Sequence, residues 1–189
     1  MRLKQTLLLC LVAQSFASTG IITWAGKTKT ELANGINTGS NKLMGLGVRL
    51  PLTLLMGSNI ELGMTKLPEV KLVYNSDNLT LSKRKSYVIN SIYPLSDSMS
   101  ALVGVDYLKQ DLACSGIDCV MRSKLGSNIK WHVGFDWLLP VISHVDSGIR
   151  ILYTNRESQE YTYGTTASSS DITIKSKKLE FQLIAMTSL

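Results

Sequence analysis

Residues 128–139, NIKWHVGFDWLL, alternate between two kinds of side chain over the length of a full strand. An extended strand sends successive side chains to opposite faces, and here the two faces differ sharply. One face carries Ile129, Trp131, Val133, Phe135, Trp137 and Leu139, and the other carries Asn128, Lys130, His132, Gly134 and Asp136. The stretch therefore predicts a β-strand that separates an apolar environment from a polar one.

The same alternation recurs at regular spacing along the chain. It is clearest at residues 44–52, where apolar residues alternate with glycine and Arg49. We predict the other strands within residues 20–31, 59–65, 84–93, 99–110, 146–153 and 179–189. In the first of these we expect Ile22 and Trp24 on the apolar face, and we expect residues 155–171 to form the longest loop. Eight strands with alternately long and short connections are typical of an all-β, antiparallel up-and-down transmembrane β-barrel.

The position of glycine indicates which face of the barrel is inside. A soluble barrel has the same period with its apolar side chains inward, so the period alone does not decide. The polar face carries Gly45, Gly47, Gly63, Gly104, Gly134 and Gly148. Glycine weakens a strand unless a neighbour passes close to its backbone, and in a narrow lumen it would let Arg49 and Arg150 lie flat. We therefore predict that the polar face lines the lumen and that the apolar face contacts lipid.

The N-terminus has the pattern of an export signal. Arg2 and Lys4 precede the apolar run 7–13, and Ser15 and Ala17 occupy the positions of a small-residue cleavage site. We expect a secretory signal peptide at residues 1–17 and the barrel at residues 18–189, with a first core segment as the alternative for the N-terminal run. No later stretch approaches the ~20 apolar residues that a spanning helix needs, so insertion into a membrane would have to use strands.

Two cysteines, Cys114 and Cys119, remain after removal of the signal. In an exported protein they favour a disulfide that closes a tight loop. Zinc sites need more ligands than these two cysteines and the two histidines of the chain offer at this spacing. We therefore expect neither a metal site nor a cofactor.

The charged residues of the polar face predict ion pairs inside the lumen. Arg49 would lie opposite Glu61, and Asp136 would lie diagonal to Arg150 on the neighbouring strand. The full set of predicted lumen residues is Arg49, Glu61, Arg84, Asp106, Lys130, His132, Asp136, Arg150 and Glu180, with Arg84 expected to share Asp106.

His132 and Asp136 share the polar face, but they are four residues apart on one strand. That spacing corresponds to about 13 Å, which is too far for an acid–base pair. We therefore predict no catalytic residues and place His132 in a lumen hydrogen-bond network.

The combination of an export signal, eight alternating strands, short turns, long loops and a terminal apolar strand resembles the small eight-stranded outer-membrane barrels of the OmpX and OmpA-transmembrane-domain type. The resemblance implies a closed barrel in the bacterial outer membrane that acts as a surface structural or interaction protein. The chain departs from that family at its last residue, Leu189, where the family usually ends in an aromatic residue. We expect a monomer with a possible extracellular partner at its loops and no nucleic-acid partner.

Basic residues are concentrated in the long connections and the adjoining strand halves, and none lies in the short turns. Lysine or arginine beside an anionic membrane surface contributes about 1 kcal/mol to binding, which predicts contact with lipopolysaccharide. The predicted contact residues are Lys83, Arg84, Lys85, Lys175, Lys177 and Lys178. Two alternatives remain: an outer-membrane lipid-modifying enzyme, and a soluble, lipocalin-like periplasmic ligand binder. Lipid A deacylases of the barrel type carry a His and a Ser close together on the lipid-facing side, and no His-x-Ser pair stands on an outward face of this sequence.

Overall fold

Twelve strands make up nearly all of the described chain. The computed structural model describes residues 19–32, 38–52, 58–74, 77–115, 120–123, 128–142, 144–155, 158–164, 169–176 and 178–188, so the predicted signal peptide lies outside it. The strands are β1 (Gly20–Leu32), β2 (Thr38–Leu52), β3 (Ser58–Lys66), β4 (Val70–Tyr74), β5 (Asp77–Pro94), β6 (Met99–Cys114), β7 (Val120–Ser123), β8 (Ile129–Ile142), β9 (Val145–Thr154), β10 (Ser158–Gly164), β11 (Ser169–Ser176) and β12 (Leu179–Ser188). Within these ranges there is no helix of the length and apolarity that crossing a membrane requires.

Eight of the strands close into a barrel. Their order around the ring is β1, β2, β3, β5, β6, β8, β9 and β12, and each strand is antiparallel to its neighbours. The ring closes where β12 pairs with β1, from Gly20 opposite Ser188 to Gly26 opposite Gln182. The predicted eight-stranded, antiparallel up-and-down barrel is therefore confirmed.

The two faces of the barrel wall have opposite character. On β8, Trp131, Phe135 and Trp137 point outward and are 50%, 53% and 51% exposed, whereas His132 and Asp136 point inward and are 0% and 1% exposed. A water-soluble barrel would place these two sets of side chains the other way round. On β8 the wall is polar inside and apolar outside, as the positions of glycine indicated, while apolar side chains such as Leu102, Leu152 and Ile184 fill other parts of the lumen.

The side chains of β1 point to the opposite faces of the wall from those we predicted. Ile22 and Trp24 point into the lumen, where they are 0% and 4% exposed, and Ile21 points outward. The reason lies on β2, because Trp24 is the register partner of Gly45. A Cβ atom at Gly45 would overlap the Trp24 ring, and Gly63 on β3 also lies against that ring. These glycines make room for the indole and not, as we expected, for the arginines.

The four remaining strands continue the same sheet beyond one end of the barrel, which we call the upper end. Strand β4 pairs with the upper part of β5, while β11 pairs with the upper end of β1, β10 with β11, and β7 with β10. Together with the upper part of β5 they enclose an apolar cluster of Val70, Leu72, Leu79, Leu81, Met121, Tyr161, Tyr163, Ile172 and Ile174. We call these four strands and the upper part of β5 the extension. The prediction of one long loop at residues 155–171 is wrong, because Tyr161 and Tyr163 alternate toward this cluster from a strand.

Candidate functional site

Four charged side chains meet in the middle of the lumen. Arg49, Glu61, Asp136 and Arg150 are each at most 5% exposed. The predicted pairing of Arg49 with Glu61 is confirmed, since Nη2 donates to Oε2 over 2.9 Å between directly opposed residues of β2 and β3. Asp136 and Arg150 also pair, with Nε donating to Oδ1 over 2.7 Å. They lie directly opposite each other and not diagonally, because the pairing of β8 with β9 continues to Ile142 opposite Val145, so the turn between the strands follows Ile142.

The same four side chains also bridge the lumen from wall to wall. Arg150 on β9 donates through Nη1 and Nη2 to Oε1 and Oε2 of Glu61 on β3, both over 2.7 Å. Arg49 on β2 donates to Oδ2 of Asp136 on β8 over 2.7 Å. In the ring of eight, β9 lies opposite β3 and β8 lies opposite β2. The cluster therefore ties two pairs of opposing walls together with formally balanced charge, and we call it the lumen cluster.

Trp24 packs beside the lumen cluster. The Arg150 guanidinium carbon lies 5.7 Å from the centroid of the indole, within the range of a cation–π contact. The indole Nε1 donates to the Thr65 hydroxyl over 2.9 Å, so its polar atom is satisfied in the buried position. Because Trp24 points into the lumen, Arg150 has an aromatic neighbour there.

His132 is connected to the lumen cluster by hydrogen bonds through Asn90. Asn90 Nδ2 donates to Glu61 Oε1 over 2.8 Å, and Asn90 Oδ1 lies 2.7 Å from His132 Nε2. Because a carboxylate accepts and does not donate, the Asn90 amide must present its oxygen to His132, and His132 Nε2 is the donor. On the other side of the ring, Nδ1 lies 3.1 Å from Asp106 Oδ2. His132 is completely buried among these partners, as expected for a structural residue of the lumen network.

The remaining predicted lumen residues lie above the lumen cluster. Arg84, Asp106, Lys130 and Glu180 all border a cavity of about 80 Å³, which the apolar cluster of the extension overlies. The predicted sharing of Asp106 by Arg84 does not appear: Arg84 Nε donates to Gln110 over 3.1 Å. In the pairing of β5 with β6, Asp106 lies opposite Val88, four residues from Arg84, and Arg84 lies in a bulge between Ser82 and Lys85.

At the bulge in β5, two neighbouring residues of the predicted lipopolysaccharide contact set point to opposite faces of the wall. Lys83 has a φ of 49° and points outward, with its ammonium 3.0 Å from Asp111, whereas Arg84 is 6% exposed and points inward. Lys85 is exposed, and Lys178 is half-buried. The side chain of Lys175 and the whole of Lys177 lie outside the described residues, as does Cys119; Cys114 ends β6.

The pairing of the strands brings a different set of basic residues together on the outer surface. Five successive strands carry an exposed, outward-facing lysine near the upper edge of the apolar face: Lys27, Lys42, Lys66, Lys85 and Lys109. Lys27 lies opposite Lys42, and Lys85 lies between Lys66 and Lys109. We call this set the lysine strip. Its members are far apart in the sequence, so only the register of paired strands brings them together.

Comparison with known proteins adds no assignment. Protein-family models give no match to the chain, and a search of curated proteins gives none either.

Proposed function

We propose that the protein is a β-barrel of the bacterial outer membrane, of the small eight-stranded type, that acts as a surface structural or interaction protein. The observation that carries this proposal is the apolar outer face. Large apolar side chains that are 38–68% exposed cover the outside of the wall, among them Leu46, Ile89, Val103 and Leu183. A water-soluble monomer rarely exposes a contiguous apolar patch of more than a few hundred Å², whereas lipid is a favourable environment for such a face.

The length of the apolar face supports a membrane location. On β8 the outward side chains are apolar from Ile129 to Leu139 without interruption. The ten steps between these two residues, at about 3.3 Å each and tilted by about 40°, span about 25 Å, which matches the apolar band of outer-membrane barrels. The strand thus has the dimension that a lipid bilayer would require.

The closed lumen favours a structural role for the barrel over a role as a channel. The lumen cluster crosses the interior between opposite walls, and the cavity above it holds about 80 Å³, room for only a few water molecules. A continuous path for solutes would require these hydrogen bonds to break. His132 is buried in the lumen network and does not face the outside of the wall, so this residue does not support the lipid-modifying alternative.

The upper end of the barrel is the part we assign to the cell surface. Connections at the lower end are short, as at residues 95–98, while the upper end carries the extension. Barrels of this class keep short turns on the periplasmic side and longer segments outside. Basic residues beside the upper edge of the apolar face would then meet the phosphates of lipopolysaccharide.

The experiment is fractionation of cells that express the full chain, followed by protease treatment of intact cells. We expect the protein in the outer-membrane fraction, with migration in a detergent gel that changes on heating. Protease should cleave only within the upper segments. Recovery in the soluble periplasmic fraction, without heat-dependent migration, would contradict the proposal and favour the soluble alternative.

A further inference from the structure

The lysine strip contains three lysines side by side on neighbouring strands. Lys66 lies directly opposite Lys85, and Lys85 lies directly opposite Lys109, all on the outer face. Directly opposed side chains have Cβ atoms about 5 Å apart, and like charges in this arrangement destabilise a sheet. An arrangement that is unfavourable in the isolated protein is explained if an anion occupies the space between the ammonium groups.

The carboxylates nearest to these lysines are already paired elsewhere. Lys66, Lys85 and Lys109 border an open groove of about 640 Å³ that also contains Glu69 and Asp111. Glu69 lies 3.5 Å from Lys71, and Asp111 lies 3.0 Å from Lys83. Across the described ranges of the chain, no carboxylate is at ion-pair distance from the three lysines.

The surface directly below the three lysines is apolar and aromatic. Two residues further from the upper end on the same strands, Met64 lies opposite Tyr87, and Tyr87 lies opposite Tyr107. These side chains are 38%, 43% and 49% exposed. A ligand that fits both levels has negative charge at one end and apolar chains at the other. Free phosphate would match only the upper level.

We propose that Lys66, Lys85 and Lys109 form a binding site for the phosphate groups of a phosphorylated glycolipid of the outer leaflet, whose acyl chains lie along Met64, Tyr87 and Tyr107. This inference rests on the proposed membrane location and identifies the site for its lipid partner. Lys85 also belongs to the contact set expected from the sequence, whereas two other members of that set differ from it, since Lys83 is paired with Asp111 and Arg84 points inward.

The test measures binding of three probes to the refolded full-length barrel in uncharged detergent: diphosphorylated lipid A, the same lipid with its phosphates removed, and inorganic phosphate. The test variant is Lys85→Gln/Lys109→Gln. The control variant, Lys27→Gln/Lys42→Gln, removes the same charge from two directly opposed lysines of the lysine strip that do not border the groove. Heat-dependent migration first establishes that each variant forms the barrel.

We expect the test variant to bind diphosphorylated lipid A about 30-fold more weakly, from about fivefold per lysine, while the control changes by less than about threefold. Dephosphorylated lipid and inorganic phosphate should bind the wild type much more weakly than the diphosphorylated lipid. Equal losses in both variants, or equal binding of the lipid with and without phosphate, would overturn the site while leaving the barrel's membrane location intact. A wild-type protein that does not enter bilayers would overturn the proposed function itself.

A second measurement uses stability. Without anionic lipid, Lys85→Gln should raise the urea midpoint, because it removes repulsion from both neighbours. With diphosphorylated lipid A present, the same variant should have a lower midpoint than the wild type, because it loses stabilisation by the bound ligand. A change of the same sign in both conditions would contradict the proposed site.

Discussion

Arg150 and Glu61 join opposite walls of the barrel through two parallel hydrogen bonds of 2.7 Å each. Planar guanidinium–carboxylate pairing of this kind fixes both distance and orientation. Glu61 also accepts from Arg49 and Asn90, so one carboxylate serves groups from three other strands. Glu61 therefore stabilises contacts between opposite sides of the closed ring and not only the pairing of β2 with β3.

We predict that Glu61→Gln lowers the free energy of unfolding by about 3–5 kcal/mol, because it leaves two buried guanidinium groups with one carboxylate between them. The measurement is urea unfolding of the refolded barrel in detergent. The control is the double variant Arg49→Gln/Glu61→Gln, which removes one charge of each sign and should cost less than the sum of the two single changes. Unchanged stability of Glu61→Gln would mean that this carboxylate is not buried in the lumen.

The contact between Trp24 and Gly45 makes a second prediction. Gly45→Val should destabilise the barrel by about 1–3 kcal/mol, because the new side chain would occupy the space of the indole. In a Trp24→Ala background the same change should cost much less, because the space is empty. Equal costs in the two backgrounds, measured by urea unfolding, would place the indole outside the lumen.

The extension has an apolar core of its own, distinct from the clusters inside the barrel. We predict that Leu79→Asp opens the extension without unfolding the eight-stranded ring, because Leu79 is 0% exposed within that core. Protease should then cleave the extension rapidly, while heat-dependent migration of the protected barrel is retained. Leu46→Asp, on the apolar outer face, is the contrasting variant and should impair insertion instead. Loss of heat-dependent migration in Leu79→Asp would show that ring and extension fold as one unit.

The disulfide between Cys114 and Cys119 stays a prediction from the sequence and the expected export. In protein purified from membranes under non-reducing conditions, we expect no reaction of Cys114 or Cys119 with a thiol reagent until a reductant is added. The Cys114→Ser variant should then expose one reactive thiol at Cys119. Labelling of the wild type before reduction would contradict the prediction.

The sequence predicted the barrel because its deciding information is local. Period-two alternation identifies each wall strand, and glycine on the polar face identifies the inside. The pairing of Arg49 with Glu61 was accessible for the same reason, since hairpin geometry alone places them opposite each other. The bonds from Arg150 to Glu61 and from Arg49 to Asp136 were not accessible, because they depend on how the closed ring brings distant strands face to face.

Two other errors have physical causes. Trp24 was assigned to the lipid face because aromatic residues usually lie on the apolar side of a strand, yet Gly45 and Gly63 leave a space for it inside. Strand β10 and the start of β11 were mistaken for a loop because residues 155–171 are rich in polar residues, although Tyr161 and Tyr163 already show the period of a strand. The lysine strip depends on the register of five strands, and that register includes a bulge that no local pattern predicts.

The most direct test of the membrane proposal uses the three tryptophans of the chain. Trp131 and Trp137 face outward and are 50% and 51% exposed, whereas Trp24 faces the lumen and is 4% exposed. Three variants, each retaining one tryptophan with the other two replaced by phenylalanine, would be refolded into bilayers that contain brominated lipids. We predict strong quenching of the Trp131 and Trp137 fluorescence by the brominated chains and little quenching of Trp24. Absence of quenching at both Trp131 and Trp137 would contradict the proposal that the apolar outer face contacts lipid.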